Sequence, residues 1–204
     1  MSKVALVRCD SYELERVREA IEQALDPLGG MGAFVKPGQR VLIKVNMLRP
    51  SPPEAAVTTH PSVAVALALM VRDLGAHPAI GDSCGGAKAY GLSEQALVET
   101  GIKPLADEHG IETILFETAG MQWMERPQNK FLKIFPVSKA VLGADVIINA
   151  PKLKTHVETL LTGAVKNMFG ALPGASKLRL HRAAPGPVAL GQALLDIYST
   201  LTPG

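Results

Sequence analysis

Short apolar runs alternate with longer amphipathic stretches along this chain. Runs rich in Val, Ile and Leu that end at Gly, Pro or charged residues predict β-strands. The predicted strands are Val4–Val7, Arg40–Val45, Pro78–Gly81, Glu112–Phe116, Phe131–Val137 and Val146–Asn149. The Phe131 strand is expected to be antiparallel or at an edge. The Val146 run is apolar throughout, which is typical of a strand covered on both sheet faces.

Stretches in which apolar residues recur every three or four positions predict helices between these strands. The predicted helices are Tyr12–Leu28, Ser62–Leu74, a segment that ends at Thr100, and Pro187–Thr200. Glycines follow three of them, at Gly29, Gly75 and Gly101, as expected where a helix stops. Alternation of strands and helices predicts a layered α/β/α domain with a mostly parallel, Rossmann-like sheet.

The length of the chain suits one domain. We expect its 204 residues, 1–204, to form a single α/β domain. The chain stops at Gly204 directly after a predicted helix, where an alternating fold ordinarily supplies another strand. We therefore expect a domain that is truncated at its C-terminus and is a fragment of a longer protein.

Composition argues against several classes of protein. A net charge of +2 and an aromatic content of 4% predict no nucleic-acid partner. No apolar run approaches the roughly 18–20 residues that span a bilayer, and no signal peptide is evident, so no membrane partner is predicted. Cys9 and Cys84 are the only cysteines, too few for a four-thiolate metal site. Reduced thiols in a cytoplasmic protein are the default expectation.

The segment after the Val146 strand has two unlike faces. At about 100° of rotation per residue, a helix would carry one apolar side: Leu161, Ala164, Val165, Met168 and Leu172. Its other side would be small and polar: Thr159, Thr162, Gly163, Lys166, Asn167 and Gly170. A solvated face would be rich in Glu, Lys, Gln and Arg instead. Small residues let a ligand approach the backbone, so this face predicts part of a binding site.

Polar residues also collect after several of the predicted strands. Ligands of open parallel sheets gather at the carboxyl ends of the strands, so these residues are expected to lie together. The candidate ligand-binding residues are Lys44, Asn46, Thr59, Asp82, Ser83, Lys152, Lys154, Thr155, Thr162 and Asn167. Their ammonium, hydroxyl and amide groups suit phosphate or carboxylate. The predicted partner is a small anionic ligand or cofactor.

Three residues are the candidates for catalysis: His60, His156 and Lys166. The histidines can transfer protons or hold a metal, and Lys166 can pair with an anion or act as a nucleophile. Each candidate also has an ordinary explanation. His60 stands where a helix cap belongs, lysines are mostly solvated, and Asp82 can bond a local turn.

The blocks VLIKVN, TTHP, GDS and PKLKTH with TGAVKNMFG resemble the DUF362 family of uncharacterised proteins. The resemblance runs from the first predicted strand to the end of the chain. Val45 and Cys84 each stand where the family pattern has proline. Family members often continue further and can carry a ferredoxin-like, Cys-rich segment. The resemblance therefore implies an association with iron–sulfur proteins, although these residues cannot hold a cluster themselves.

A more distant likeness is to the lactate-racemase family of nickel-pincer-nucleotide enzymes. His60 has a counterpart at a helix start in that family, and the step from His156 to Lys166 matches its ten-residue spacing between histidine and lysine. This resemblance implies that Lys166 anchors or contacts a cofactor and that the histidines bind metal or move protons. The surrounding motifs differ from the racemase pattern, so no metal ligand is assigned and the cofactor is unknown.

The favoured hypothesis is an enzyme domain that binds an anionic ligand or cofactor at the strand carboxyl ends, with lysine and histidine chemistry. The alternative is a non-catalytic scaffold or electron-transfer partner whose iron–sulfur segment is absent from this chain. Whether the domain is an enzyme at all stays open at this point. Substrate, reaction and oligomeric state cannot be read from the residues.

Overall fold

The computed structural model describes residues 3–85, 91–157 and 159–201. The sequence predicts a glycine-rich loop over Asp82–Ala87, and Gly86 and Ala87 of that prediction lie outside the described residues. The strands are β1 Arg40–Val45, β2 His77–Asp82, β3 Glu112–Leu115, β4 Met121–Glu125, β5 Ile134–Ser138, β6 Val146–Ala150, β7 Lys154–His156 and β8 Leu160–Thr162. The α-helices are α1 Leu14–Leu25, α2 Pro61–Asp73, α3 Ser93–Glu99, α4 Ile102–Glu108, α5 Lys139–Leu142, α6 Ala164–Asn167, α7 Ser176–Ala183 and α8 Pro187–Leu201.

A parallel sheet of four strands in the order β3-β2-β1-β6 is the centre of the fold. In the register of this sheet, Lys44 of β1 lies between Gly81 of β2 and Asn149 of β6. The chain runs from β1 to β2 on one side and later returns to place β6 on the other side of β1. Such a reversal of strand order opens a crevice at the carboxyl ends of the strands, where ligands of this fold class bind.

Each face of the sheet has its own apolar core, because successive side chains of a strand point to opposite sides. Val41, Ile43 and Val45 are buried in one core with the residues of α2. Leu42 lies in the other core, together with Phe116 and residues of α8 such as Ile197. Helix α2 is rich in Ala, Val and Leu on all sides, as expected for a helix packed between the sheet and α1 and α4.

Two antiparallel hairpins accompany the parallel sheet. In the first, β4 pairs with β5, with Trp123 opposite Pro136. In the second, β7 pairs with β8, with Thr155 opposite Leu161. The second hairpin directly follows β6 and so lies at the carboxyl end of the sheet.

Most of the predicted elements are confirmed. The structure has the predicted layered α/β architecture with a parallel four-stranded sheet flanked by helices. Strand β1 coincides with its predicted range, and β2, β3 and β6 differ from theirs by one residue at one or both ends. The strand predicted at Phe131–Val137 is β5, which begins at Ile134. It pairs antiparallel with β4, and an antiparallel strand was one of the two expectations. The last helix ends at Leu201, one residue beyond its predicted end.

The strand predicted at Val4–Val7 is wrong. Residues 3–10 carry no regular secondary structure, and Val4 and Leu6 are 92% and 98% exposed. Its apolar, β-branched residues suit a strand, but a strand forms only where a neighbour accepts and donates its backbone hydrogen bonds. None of the described strands pairs with this segment.

The helix predicted from about Thr159 to Leu172 is wrong in its first part. Leu160–Thr162 form β8, and the backbone at Leu160 has a φ of 61°, in the left-handed region that interrupts a right-handed helix. Leu161, predicted on the apolar side, is 56% exposed. A helical turn begins only at Ala164 and continues as a 3₁₀ turn over Met168–Ala171. Helix α7 lies in a stretch for which the sequence pattern predicted no helix.

Gly81 and Gly191 provide a matched test of the fold. At Gly81 an added Cβ would lie 2.7 Å from Phe116 Cε1 and 3.0 Å from the Ile114 carbonyl oxygen. We expect Gly81→Ala to lower the free energy of unfolding by about 1–3 kcal/mol through overpacking. In α8, a Cβ at Gly191 would meet nothing within 4 Å. Gly191→Ala should therefore raise stability by about 0.5–1 kcal/mol. Urea unfolding measures both, and equal midpoints for the two variants would contradict this packing.

Candidate functional site

A cavity of about 370 Å³ lies at the carboxyl end of the sheet. Strands β1 and β2 contribute the residues that follow them, and the second hairpin, α6 and α7 supply the remaining walls. The polar and charged residues that line it are Asn46, Asp82, Ser83, Lys154, His156, Thr162, Lys166, Asn167, Lys177 and His181. Eight of these ten side chains were predicted as site residues, the exceptions being Lys177 and His181.

A buried ion pair forms the base of this region. Lys44 Nζ lies 2.7 Å from Asp82 Oδ1, and both side chains are almost completely excluded from solvent. Lys44 Nζ also donates to the Val45 carbonyl oxygen at 2.6 Å. Burial lowers the pKa of Lys44, and the adjacent Asp82 carboxylate opposes that shift. The pair joins the two central strands where they end.

The Asp82 carboxylate also holds the backbone of both neighbouring loops. Its Oδ2 accepts the backbone N–H of Met47 at 2.7 Å, and its Oδ1 accepts that of Ser83 at 2.7 Å. Predicted as a ligand-binding residue, Asp82 lines the cavity while its two oxygens bond Lys44 and these two amides. Its main effect is to fix where Met47 and Ser83 lie.

Gly170 allows the covering segment to pack onto the ion pair. A Cβ at this position would overlap Asp82 Oδ1 and lie 2.7 Å from Lys44 Nζ, so a side chain here would displace the ion pair. Asn167 fastens the same segment, since its Nδ2 donates to the Lys44 carbonyl oxygen at 3.1 Å and to Asn149 Oδ1 at 2.8 Å. The small, polar face read from the sequence therefore packs against the site.

Two lysines make one side of the cavity electropositive. Lys154, on β7, is half-buried and donates to the Val57 carbonyl oxygen. Burial and the nearby charges of Lys166 and Lys152 lower the pKa of Lys154 to about 8, and Asp82 opposes the shift. Lys166 Nζ lies 4.8 Å from the centroid of the Phe169 ring, a cation–π distance.

His156 also lines the cavity, and its tautomer follows from its hydrogen bond. Its Nδ1 accepts the backbone N–H of Thr159 at 3.3 Å. Because Nδ1 is the acceptor, the neutral imidazole carries its proton on Nε2. The hairpin that replaces the predicted helix thus orients this ring.

Lys177 is a buried lysine that the sequence interpretation did not include among the site residues. Its Nζ donates to the Ser83 carbonyl oxygen at 2.6 Å, to Ser83 Oγ at 2.9 Å and to the Cys84 carbonyl oxygen at 2.8 Å. Burial lowers its pKa to about 8, opposed chiefly by Asp82. One signal could have identified it: Lys177 precedes the buried residues Leu180 and Ala184 by three and seven positions, and so occupies an apolar position of a helical stripe.

Several predicted residues lie outside the cavity. Thr59 Oγ1 donates to the Ala150 carbonyl oxygen at 2.6 Å and accepts the Asn46 N–H at 2.8 Å, which joins β6 to the end of β1. Lys44 is buried beneath the cavity, and Thr155 is exposed on the hairpin. Lys44, Thr59 and Thr155 do not line this cavity.

His60 and Lys152 form a separate group with Tyr12. The His60 ring stacks on that of Tyr12 with centroids 3.7 Å apart, and its Nδ1 accepts the Ser62 N–H at 3.3 Å, as a helix cap does. Lys152 Nζ lies 3.4 Å from the Tyr12 hydroxyl. Burial and the Lys152 charge lower the pKa of His60. None of these three side chains lines the cavity.

Two buried oxygens of the cavity lack a hydrogen-bond partner among the described residues: Asn46 Oδ1 and Thr162 Oγ1. Thr162 is only 3% exposed. Buried polar atoms are seldom left without a partner, because the lost hydration costs about 1–3 kcal/mol. A ligand with donor or acceptor groups could satisfy them.

The described parts of the chain contain neither a metal-binding cluster nor a membrane-spanning helix. Within them, no group of three or more His, Cys, Asp or Glu side chains is placed to hold a metal ion. Burial raises the pKa of the Cys84 thiol to about 11, which keeps it protonated and a poor ligand. Nor does any helix there combine the length and apolar character needed to cross a bilayer.

Two comparisons relate this chain to known proteins. The family model of DUF362, a domain of unknown function, matches residues 41–204. The thylakoid-associated protein sll1697 of Synechocystis sp. (strain ATCC 27184 / PCC 6803 / Kazusa) is 35% identical over 204 residues. That alignment covers 100% of this chain and 61% of the relative, so this chain spans less than two thirds of the relative's length.

The buried ion pair can be tested by a double-mutant cycle. Lys44→Met leaves the Asp82 carboxylate buried without its counter-ion, so we expect a loss of about 3–5 kcal/mol in the free energy of unfolding. Adding Asp82→Asn removes that charge and should recover at least about 1 kcal/mol. Urea unfolding of wild type, both single variants and the double variant gives the coupling. Simple additivity of the two losses would show that the pair is not coupled.

Proposed function

This chain belongs to the DUF362 family, and we propose that its domain binds a small anion bearing phosphate or carboxylate in the cavity at the strand carboxyl ends. The observation that carries the proposal is the convergence of Lys154, Lys166 and Lys177 around one cavity. Its volume of about 370 Å³ suits a small ligand.

The charges around the cavity favour an anion. Among the described lining residues, Asp82 is the one acid, and its charge is offset by Lys44. Lys154, Lys166 and Lys177 thus outnumber the acids among the described residues of the lining. A low-dielectric wall strengthens their attraction for a negative ligand. We propose that the lysine ammonium groups contact the negatively charged group of the ligand. Asn46 and Thr162 would form hydrogen bonds with its other polar groups.

His156 extends this proposal from binding to chemistry. Its ring lies in the same cavity as both lysines, with the proton of the neutral form on Nε2. A histidine beside a bound anion can move a proton near neutral pH. We propose His156 as the proton-transfer residue of an enzyme domain. His60 is not included, because it caps α2 and stacks on Tyr12 outside the cavity.

The proposal concerns this domain alone. This chain spans 61% of the length of its thylakoid-associated relative, and the single-domain fragment inferred from the sequence stays a prediction. The cytoplasmic location, the likeness to lactate racemases and the iron–sulfur association also stay predictions.

Lys166 and Lys152 provide a matched pair of variants. We expect Lys166→Gln to weaken binding of sulfate and inorganic phosphate roughly 10- to 100-fold, since a charged hydrogen bond contributes about 1.5–3 kcal/mol. Lys152→Gln removes the same charge outside the cavity and should change affinity less than about threefold. Isothermal titration calorimetry gives the affinities, and thermal unfolding should give nearly equal Tm values. An unchanged affinity in Lys166→Gln, or a wild type that binds neither anion, would refute the proposal.

Anion binding should also depend on pH through Lys154. Its pKa of about 8 lies below the ordinary lysine value, so the cation is present below pH 8 and is lost above it. Sulfate keeps its charge throughout, and its affinity should fall about tenfold from pH 7 to pH 9. Lys154→Gln should bind more weakly at pH 7 and lose most of this slope, with the remainder due to Lys177. A wild-type affinity independent of pH over this range would argue against the assignment.

A further inference from the structure

The hydroxyl of Ser83 lies between two ionisable side chains. Lys177 Nζ donates to Ser83 Oγ at 2.9 Å. Ser83 Oγ in turn donates to Glu117 Oε1 at 2.6 Å. Ser83 and Lys177 both line the cavity, and Glu117 is set back from it. A hydroxyl with an ammonium donor on one side and a carboxylate acceptor on the other has the contacts of an activated nucleophile.

Glu117 has spare capacity to take up a proton. Its Oε1 accepts the hydroxyl of Ser83 and, at 2.8 Å, that of Ser93. Its Oε2 is buried and has no hydrogen-bond partner among the described residues. A carboxylate that accepts two hydroxyls on one oxygen and leaves the other unbonded is not saturated with donors. It can therefore receive the Ser83 proton along the existing hydrogen bond.

Lys177 can stabilise negative charge on the same oxygen. It is buried, and its three hydrogen bonds all go to Ser83 and Cys84. The two carbonyl acceptors hold the ammonium group in one orientation, with its third donor on Ser83 Oγ. A preorganised donor of this kind acts strongly where water is excluded, because no reorientation is needed as charge develops.

Hydrogen bonds anchor the backbone at Ser83. Its N–H is bonded to Asp82 Oδ1, and Asp82 is fixed by Lys44 at the end of the parallel sheet. Reactive groups mounted on such elements are held more accurately than groups on free loops. The hydroxyl thus occupies a fixed place on the wall that faces the proposed anion site.

We propose that Ser83 is a nucleophile that accepts the acyl group of an anionic ester, with Glu117 as its base and Lys177 as the donor to its oxygen. This inference rests on the proposed function, since Lys154 and Lys166 would seat the anionic end of that ester. The chemical class of substrate is an acyl ester that carries a carboxylate or phosphate away from the scissile bond.

The step balances without an oxidant or a cofactor. Ser83 Oγ forms a bond to the acyl carbon while its proton passes to Glu117 Oε1. The bond from the acyl carbon to the ester oxygen breaks, and that oxygen leaves as an alcohol with the proton from Glu117. Water then attacks the acyl-serine, releases a carboxylic acid and restores the Ser83 hydroxyl. No atom changes oxidation state overall.

A structural explanation predicts something different. The same bonds could serve only to fasten α7 to the loop after β2. In that case Ser83 would react no faster than any other serine, and changes at Glu117 would alter stability alone. Covalent modification by an organophosphorus fluoride separates the two, because this reagent reports the nucleophilicity of one hydroxyl.

The test uses the whole chain and diisopropyl fluorophosphate at neutral pH, with peptide mass spectrometry to locate the adduct. We expect one adduct per chain, on Ser83, and none in Ser83→Ala. Ser93→Ala removes the other hydroxyl on Glu117 and should retain the adduct. Glu117→Gln should slow labelling at least tenfold, and Glu117→Asp should restore part of the rate.

Failure of this inference is distinguishable from failure of the proposed function. Sulfate affinity is measured on the same samples, and labelling needs no bound anion. A wild type that binds sulfate but shows no adduct on Ser83 overturns the nucleophile and leaves the anion site intact. Equal labelling rates in wild type and Glu117→Gln, at equal Tm, overturn the role of Glu117. Because the wild type alone identifies the labelled residue, an unstable variant does not prevent a decision.

Discussion

The buried ion pair between Lys44 and Asp82 is the interaction on which the rest of the site depends. It joins the two central strands at their carboxyl ends, 2.7 Å apart and out of contact with solvent. Such a pair need not stabilise the fold more than apolar residues would, but its geometry is demanding. The Asp82 oxygens bond the amides of Met47 and Ser83, and Gly170 allows the covering segment to pack onto the pair. One charge pair therefore fixes three walls of the cavity.

Burial also changes the pKa values of two lysines near the Lys44–Asp82 pair. Lys154 and Lys177 both have a pKa of about 8, because each gives up hydration near other charges. Their positive charges face a cavity in which the single described acid is already paired. A bound anion would replace part of the favourable interaction with water that the lysine ammonium groups lose on burial. The burial of the lysines thus explains both their lowered pKa values and the proposed affinity of the cavity for an anion.

The alternating pattern of the sequence predicted the parallel sheet and the location of the site. Strand β1 was found at its predicted range, because a short apolar run that follows a turn signal at Gly38 and is buried on both sheet faces leaves little freedom. Thr162, Lys166 and Asn167 do line the cavity, although the helix that led to them begins only at Ala164. Thr162 lies on the second hairpin instead, because that hairpin depends on cross-strand hydrogen bonds that periodicity cannot reveal. The helical stripe indicates that Lys177 is buried, but its partners Ser83 and Cys84 are distant in sequence and could not be predicted.

Lysine-detected NMR of the side-chain ammonium groups, recorded as sulfate is added, tests the central claim most directly. The account predicts saturable shifts of the Lys154 and Lys166 signals with one common dissociation constant, and an unchanged Lys152 signal. A saturable response centred on Lys152 beside His60 and Tyr12, or no response of Lys154 and Lys166 at saturating sulfate, would contradict the claim that the cavity at the carboxyl ends of the sheet is the anion site.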